Sequence, residues 1–250
     1  MLLQLCTWPE VEERLKQSTG IIVPIGSAEQ HGPNGLIGTD ALCAEVVARG
    51  VGEKADALVA PTLSVGMAQH HLGFAGSITL KPSTLIAVVR DTVLSLARHG
   101  FDRIYFINGH GGNIATVTAA FSEIYADASL DAARRNAPGL RCRLKNWYDG
   151  PGVRKLSKEL YGKAEGSHAT PSEVSLTHFA FPEAIKRAQE MRPEIAPKGP
   201  IHDAADYRRR FPDGRIGSDP SLASPEAGKR LYEAAVAELV KDYRAFLKAA

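Results

Sequence analysis

The chain has 250 residues, with 30 Lys and Arg against 28 Asp and Glu and a formal net charge of +2. This near-balance gives no electrostatic reason to expect nucleic acid or an anionic membrane as a partner. The 3 cysteines are scattered and lack CxxC spacing, which excludes a disulfide framework and indicates a reducing compartment. No apolar run approaches the roughly 20 residues that span a bilayer. We therefore expect a soluble, cytoplasmic protein.

Short apolar runs and helical spacing alternate along the chain. The apolar runs predict four buried strands, at Gly20–Ile25, Ala57–Leu63, Arg103–Asn108 and Leu140–Trp147. Helical spacing predicts helices at Asp40–Val51, Ser83–His99, Asn113–Ala128 and Pro225–Ala249. This alternation predicts an α/β fold, a mostly parallel sheet sandwiched by helices, in a single domain over residues 1–250.

The stretch 191–224 differs from the rest because it is rich in Pro and Gly and has no sustained period. Loops of this length without secondary structure are uncommon inside compact domains and usually have a function. We expect the stretch to be a lid or a subunit contact.

A first polar cluster follows the strand Gly20–Ile25. Glu29 and His31 are two residues apart, so an extended backbone points both side chains the same way, as a pair of metal ligands requires. A Gly- and Pro-rich turn then leads to Asp40, whose carboxylate could bridge two ions about 3.5–4 Å apart. The alternative is that Glu29 and His31 are surface residues and that Asp40 is a charge favoured by a helix N-terminus.

A second cluster, Asn108-Gly109-His110-Gly111-Gly112-Asn113, follows the apolar run Arg103–Ile107 of the third predicted strand. In open α/β sheets ligands bind at the carboxyl ends of strands, so His110 is expected to approach the first cluster. The alternative is that the glycines shape an anion pocket at a helix N-terminus. The pattern is neither a GxGxxG fingerprint nor a P-loop.

A third cluster lies at residues 166–173. Thr170 as N-cap, Pro171 at the first helical position and Glu173 at the third form a capping box. The alternative is that the carboxylate of Glu173 turns toward a metal.

The three clusters together resemble the creatininase (creatinine amidohydrolase) family. The family's Gly-Ser-x-Glu-Gln-His-Gly-Pro loop and its Thr-Asp are similar to residues 26–33 and 39–40, and its Asn-Gly-His-Gly-Gly-Asn is identical to residues 108–113. Its His-Ala-Gly-x-x-Glu-Thr-Ser segment is similar to residues 168–175. Residues 73–80 and 211–222 also resemble family segments, so the likeness runs from about residue 8 to the C-terminal helix.

This resemblance implies a two-metal hydrolase of α/β/α architecture, commonly a homo-oligomer and often a hexamer, that cleaves C–N bonds in small amides or lactams. It implies that His168 is the proton shuttle and that Asp40 is the bridging ligand. The five metal ligands that it implies are Glu29, His31, Asp40, His110 and Glu173. Such Glu, Asp and His donors suit Zn²⁺ best, with Mn²⁺ or Fe²⁺ as alternatives.

Departures from the family pattern leave the substrate open. Many relatives carry a histidine where this chain has Asn34, and true creatininases carry a glutamate where it has Gly112. A formamide, a cyclic ketose derivative or a peptide bond are alternative substrates, and a metal-binding subunit without turnover is an alternative function. A nucleophilic serine hydrolase is disfavoured because Ser27 is not in a GxSxG elbow.

Aromatic and histidine side chains outside the three clusters remain ambiguous. His70 and His71 either line a pocket or are ordinary loop histidines. Trp147 either covers a planar substrate or, as we expect, packs in the core.

Overall fold

The computed structural model describes residues 1–130, 139–186 and 190–249. Its sheet has four parallel strands in the order β2-β1-β3-β4. The strands are β1 (Gly20–Ile25), β2 (Leu58–Val59), β3 (Arg103–Asn108) and β4 (Arg141–Asn146). Helices flank this sheet, which confirms the predicted α/β class and single-domain architecture.

Eight α-helices lie in the described parts of the chain, and Pro at the first or second position opens several of them. Their bounds are α1 (Trp8–Leu15), α2 (Thr39–Ala55), α3 (Pro82–Arg98), α4 (Asn113–Leu130), α5 (Pro151–Tyr161), α6 (Pro171–Ala180), α7 (Ala204–Arg210) and α8 (Pro225–Lys248). None of these helices combines the length and the apolar character that a bilayer crossing requires.

Two hydrophobic layers cover the sheet, one on each face. Ile21, Val23 and Ile25 of β1 point to one side and pack with residues of α3 and α4. Ile22 points to the other side, where α2 and α8 pack against the sheet. Because side chains alternate along a strand, a run of consecutive apolar residues is what a strand covered on both faces requires.

The second strand is shorter than predicted. The expected span Ala57–Leu63 contains Pro61, which has no N–H to donate to the sheet. Regular pairing is confined to Leu58 and Val59, although Leu63 still forms an isolated bridge with Ile25. The chain therefore leaves the sheet early and continues into the loop that carries His71.

The stretch 191–224 is more ordered than its composition suggests. It contains α7, and Asp203 caps this helix by accepting from the N–H of Asp206 at 2.8 Å. The fully buried Arg215 ties the stretch together by donating to backbone carbonyls at residues 193, 194 and 218 and to the carboxylate of Asp213. Side-chain hydrogen bonds therefore order a stretch whose sequence has no sustained hydrophobic period.

Candidate metal centre

The carboxyl edge of the sheet gathers the polar clusters. Residues 26–38 follow β1, the loop with His71 follows β2, and residues 109–112 follow β3. The start of α6 supplies a fourth element. These elements surround a cavity of about 560 Å³, whose lining includes Glu29, Asp40, His110, His168 and Glu173.

Asp40 lies between two histidines. Its Oδ1 is 3.1 Å from Nε2 of His31, and its Oδ2 is 3.1 Å from Nδ1 of His110. The carboxylate is held there by close backbone packing, because a Cβ at Gly109 would overlap the main chain of Asp40. Only glycine permits such an approach between the β3 loop and the start of α2.

Glu29 is fully buried and lies between His110, which also contacts Asp40, and His71. Its Oε2 is 3.3 Å from Nε2 of His110, and its Oε1 is 3.0 Å from Nε2 of His71. Neither contact has the angles of a hydrogen bond. Both oxygens of Glu29 therefore lack a hydrogen-bond partner within the described residues. Leaving such a buried carboxylate unpaired costs far more than a typical buried polar group does.

Glu173 has the geometry of a cap and also reaches the cluster. Its Oε1 accepts from the N–H of Thr170 at 2.6 Å, and its own N–H donates to Oγ1 of Thr170 at 3.2 Å. The same Oε1 is 3.8 Å from Nε2 of His31. The capping box predicted from the sequence is present, and it does not prevent the carboxylate from facing the cavity.

The electrostatics of the cluster reflect dense opposite charge in a buried place. Burial alone would lower the pKa of His31 and of His110, but the neighbouring carboxylates outweigh it and raise these pKa values to about 10 and about 9. Burial would raise the pKa of Asp40, yet the two histidines hold it well below its usual range. Burial raises the pKa of Glu173 to about 7.

His168 lies on the other side of Glu29. Its Nδ1 is 3.7 Å from Oε1 of Glu29, and its Nε2 is 2.8 Å from the backbone oxygen of Gln30. Burial lowers the pKa of His168 well below its ordinary value, so the ring is neutral near pH 7. Ala169, which follows it, has a φ of 53°. This left-handed turn lets His168 and Glu173 face the same cavity.

The residues present fit a pair of divalent cations. Three side-chain groups place one ligand atom each within 4.8 Å of the others: Glu29–Asp40–His110, His31–Asp40–Glu173 and Glu29–His31–His168. The first two groups share Asp40. In addition, Nδ1 of His31 lies 3.0 Å from the backbone oxygen of Glu29, the outer contact that orients a metal-bound imidazole. A cation would also give the unpaired oxygens of Glu29 the partner they lack.

The five proposed ligands and His168, named from the sequence, lie close together in the structure. His71, for which the sequence left a pocket or a loop position open, and Gln30, which had no predicted role, are both buried beside Glu29. The available signals were weak: His71 lies in a loop with Gly on both sides, and Gln30 lies between two proposed ligands. Neither signal predicts contacts with residues far along the chain.

The remaining residues named from the sequence lie around the cavity or in the core rather than in the cluster. Trp147 is 1% exposed and belongs to the core, as expected, although it also lines the cavity. His70 and His71 both line the cavity as well. Asn34 is buried and donates to the backbone oxygen of Pro220 at 3.0 Å, outside the cluster. A Cβ at Gly112 would overlap Nε2 of His110, so this loop has no room for a side chain there.

Apolar and polar residues form the remaining cavity walls. Trp147 and Tyr148 meet edge to face at one side, with ring centroids 5.8 Å apart. Pro200 and Ile201, which belong to the stretch 191–224, also line the cavity. Glu165 completes the lining, and burial raises the pKa of its carboxyl group. The cavity is therefore sized and shaped for a small molecule with both polar and apolar parts.

The fold and this carboxylate–imidazole cluster define an α/β protein with a candidate binuclear metal centre at the carboxyl edge of its sheet. The family model for creatininase, described as creatinine amidohydrolase, matches residues 4–243. The chain belongs to the creatininase family, as its motifs predicted.

Curated relatives of this chain are hydrolases with different substrates. A 3-dehydro-scyllo-inosose hydrolase of Thermotoga maritima is 29% identical over 96% of this chain and 82% of its own length. A mycofactocin precursor peptide peptidase of Mycobacterium ulcerans is 27% identical over 94% of this chain and 83% of its own length. A creatinine amidohydrolase of Pseudomonas putida is 36% identical, but over 43% of this chain and 44% of its own length.

Solved creatininase structures share the fold. A tryptophan-to-phenylalanine mutant of creatininase superposes with a TM-score of 0.87 at 23% identity and covers 99% of both chains. A structure described as the Mn form of creatininase has a TM-score of 0.84 at 24% identity and also covers 99% of both chains. At this level of identity the likeness establishes the architecture and not the reaction.

Proposed function

We propose that this protein hydrolyses a C–N bond of a small amide or lactam, using water activated by two divalent metal ions. The observation that carries the proposal is the pair of ligand groups, Glu29–Asp40–His110 and His31–Asp40–Glu173, joined through one carboxylate. Two divalent ions held by these residues would lower the pKa of a bound water and polarise a substrate carbonyl. The donor set favours Zn²⁺, with Mn²⁺ and Fe²⁺ as alternatives.

The protein's own contribution begins with His168. Because its Nε2 is engaged by a backbone oxygen, Nδ1 is the nitrogen that faces the cluster. A neutral ring with a free Nδ1 accepts a proton from the attacking water and returns it to the departing nitrogen. Such general acid–base transfer typically contributes about 10²–10⁴-fold to the rate.

The cavity walls support a small substrate and not an extended chain. Trp147 and Tyr148 offer an aromatic face, while Pro200 and Ile201 add lining from the stretch 191–224. These contacts support a lid role for the stretch 191–224. Gly112 supports a substrate other than creatinine, because true creatininases carry a glutamate at this position.

A second candidate is hydrolysis of a cyclic ketose derivative by the same residues. The observation that favours it is the match to the inosose hydrolase along 96% of this chain. A substrate panel that pairs lactams and linear amides with cyclic polyhydroxy ketones separates the two reactions. We also propose that the chain acts as a homo-oligomer on small molecules, which size-exclusion chromatography with light scattering tests.

The test of the proposal combines metal analysis with turnover. We expect two equivalents of Zn²⁺ or Mn²⁺ per chain, loss of amide hydrolysis with a chelator and recovery when metal is returned. His168→Ala should reduce turnover by about 10²–10⁴-fold with the metal content unchanged. The control is His178→Ala, which removes a buried histidine on α6 that does not line the cavity.

Three results would contradict the proposal. Tight metal binding without turnover of any amide, lactam or ketose would indicate a binding protein. Full activity in His168→Ala would remove the proton-transfer role from this residue. Replacement of Asp40 with full retention of both ions would refute the shared-ligand arrangement.

A further inference from the structure

The chain around His168 is paired with the last part of the stretch 191–224. The backbone N–H of Ser167 donates to the oxygen of Ile216 at 2.9 Å, and the N–H of Ile216 donates to the oxygen of His168 at 3.3 Å. These two bonds form an antiparallel bridge, with His168 opposite Ile216. All three residues line the cavity, so the bridge is part of its wall.

Close packing fixes the two backbones against each other. Gly166 has a φ of 68°, and a Cβ there would lie 2.5–2.6 Å from main-chain atoms of residues 216–218. Only glycine permits such an approach in this conformation. The facing segment is itself held from behind, because the oxygen of Ser218 accepts from the N–H of Ala196 at 3.1 Å and from Nη1 of Arg215 at 3.1 Å. Residues 216–218 are therefore a fixed neighbour of the chain that carries His168.

A side-chain hydrogen bond strengthens the pairing at His168 itself. Oγ of Ser218 donates to the backbone oxygen of His168 at 2.6 Å. The same oxygen accepts from the N–H of Ile216, so both of its lone pairs are engaged. Because Ser218 is fully buried, solvent competes little for its hydroxyl. Two donors thus orient the peptide between His168 and the residue that follows it.

That next residue, Ala169, has an unfavourable backbone conformation. Its φ of 53° is left-handed, which is costly for any residue other than glycine. Such a residue persists only where its surroundings over-determine it. On one side of Ala169 lies the peptide that Ser218 holds. On the other side lies the capping box of α6, in which the N–H of Thr170 donates to Oε1 of Glu173 at 2.6 Å.

The left-handed turn decides where the imidazole of His168 points. In this arrangement Nε2 of the ring lies 2.8 Å from the backbone oxygen of Gln30, and Nδ1 lies 3.7 Å from Oε1 of Glu29. A rotation of the peptide after His168 would move the ring relative to both groups. Displacement of a catalytic group by about 1 Å can cost about 10²-fold in rate.

We propose that Ser218 is a positioning residue for His168: its hydroxyl holds the peptide that keeps Ala169 left-handed, and so presents the imidazole to the cavity. Residues 216–218 thereby hold the site together rather than cover it. The kinetic consequence rests on the proposed function, in which His168 transfers a proton. The placement of the ring does not, because it is a property of the folded chain.

The first experiment compares full-length Ser218→Ala with the wild type and needs no substrate. Hydrogen exchange in the metal-free protein should become faster at the amides of Ser167 and Ile216, the two donors of the bridge. Modification of His168 by diethyl pyrocarbonate, mapped by mass spectrometry, should also accelerate, because the ring is held less firmly. The modification rate decides the inference. An unchanged rate would overturn it, and faster exchange alone would leave Ser218 a merely structural residue.

The second experiment measures kinetics on a substrate that the wild type hydrolyses. Ser218→Ala should lower kcat by roughly 10- to 100-fold, the range expected when a catalytic group is displaced. The KM and the affinity for Zn²⁺ should stay near those of the wild type, because Ser218 does not line the cavity and is not a proposed ligand. An unchanged kcat, or an equally large loss of Zn²⁺ affinity, would overturn the positioning role.

Thr177→Val is the matched control. Thr177 is buried, and its Oγ1 donates to the backbone oxygen of Val174 at 2.8 Å inside α6. The variant therefore removes the same type of hydrogen bond without touching the bridge. We expect a similar loss of stability in both variants, but unchanged kcat and His168 modification in Thr177→Val. Equal changes of kcat and modification in both variants would show a general effect of lost stability and would refute the inference.

Ala169→Gly tests the route through the left-handed turn. Glycine adopts this conformation without the steric cost, so it depends less on the hydroxyl of Ser218. The effects of Ser218→Ala on kcat and on His168 modification should therefore be smaller in the Ala169→Gly background than in the wild type. Equal effects in both backgrounds would overturn the inference. If the wild type hydrolyses no substrate, the proposed function fails, and the modification rates still decide whether Ser218 positions the ring.

Discussion

Arg215 provides the sharpest test of how the stretch 191–224 is held against the cavity. Its guanidinium is fully buried and donates to the backbone oxygens of Glu194 at 2.6 Å, Pro193 at 2.9 Å and Ser218 at 3.1 Å. Its Nε donates to the carboxylate of Asp213 at 2.9 Å. Arg215→Met keeps much of the apolar stem and removes every one of these donors.

The cost of this change follows from the acceptors that lose their partner. A buried carbonyl left unpaired costs about 1–3 kcal/mol. Of the three hydrogen bonds lost, the one to Ser218 is buried, and those to Pro193 and Glu194 are partly buried. The carboxylate of Asp213 is 33% exposed and recovers part of its loss from water. Because water recovers part of these losses, we expect the free energy of unfolding to fall by about 2–4 kcal/mol.

The control is Arg230→Met. Arg230 pairs with Glu159 at 3.1 Å, but the two side chains are 51% and 58% exposed. Exposed pairs contribute about 0.2–1 kcal/mol, so this variant should remain close to the wild type. Urea unfolding followed by circular dichroism measures both variants, and a change in midpoint without a change in slope identifies a stability effect.

Local opening is a second possible outcome, because the stretch could detach before the sheet unfolds. Hydrogen exchange and limited proteolysis near residues 193–201 detect this outcome as faster exchange or new cleavage in Arg215→Met. The reasoning is refuted if Arg215→Met unfolds within about 1 kcal/mol of Arg230→Met and its segment is equally protected.

Three further predictions concern the cluster and the backbone around it. Glu173→Gln keeps a capping acceptor but removes a charge, so the free energy of unfolding should change by less than about 0.5 kcal/mol. In a titration, one of the two Zn²⁺ equivalents should bind more weakly. Unchanged affinity for both equivalents would exclude Glu173 as a ligand. Gly109→Ala forces a Cβ into the main chain at the start of α2 and should lower the urea midpoint, whereas Gly38→Ala, where the added Cβ has ordinary contacts at 3.5 Å, should not. The pKa values of His31 and His110 are raised to about 10 and about 9, so both rings hold protons that Zn²⁺ must displace. The affinity of the protein for Zn²⁺ should therefore rise as the pH increases from 7 to about 9. In the metal-free protein the same raised pKa values stabilise the fold, fully below about pH 6.5, and this stabilisation is lost as the pH approaches 9–10. A Zn²⁺ affinity that does not change with pH, or a metal-free stability that does not, would contradict the assignment.

Strands could be predicted from the sequence where burial on both faces of the sheet also produces a local apolar run. The strands β1 and β3 are continuous apolar runs, and their predicted bounds are those observed. The predicted second strand was too long, because apolar composition does not reveal that Pro61 has no N–H to donate to the sheet. The helix α7 was missed because its residues Ala204–Arg210 are mostly polar and depend on a cap and on packing against distant residues.

The candidate site divides in a similar way. The five proposed ligands stand in short motifs next to strand ends, so their chemistry is local enough to be read from the sequence. The position of Gln30 beside the cluster depends on contacts with His168 and Tyr207, which are separated from it by 138 and 177 residues. Only the folded chain brings such groups together, and no spacing rule predicts them.

The shared position of Asp40 means that the two candidate cation positions cannot be loaded independently. The first ion would draw on a carboxylate that the second also needs, while it expels protons that both positions must lose. Occupancy of one position is therefore thermodynamically linked to occupancy of the other, and by reciprocity the coupling is the same in either order. The protons that the first ion expels would favour the second, whereas the shared carboxylate would oppose it. The sign of this coupling would decide how steeply the proposed hydrolysis depends on the free cation concentration.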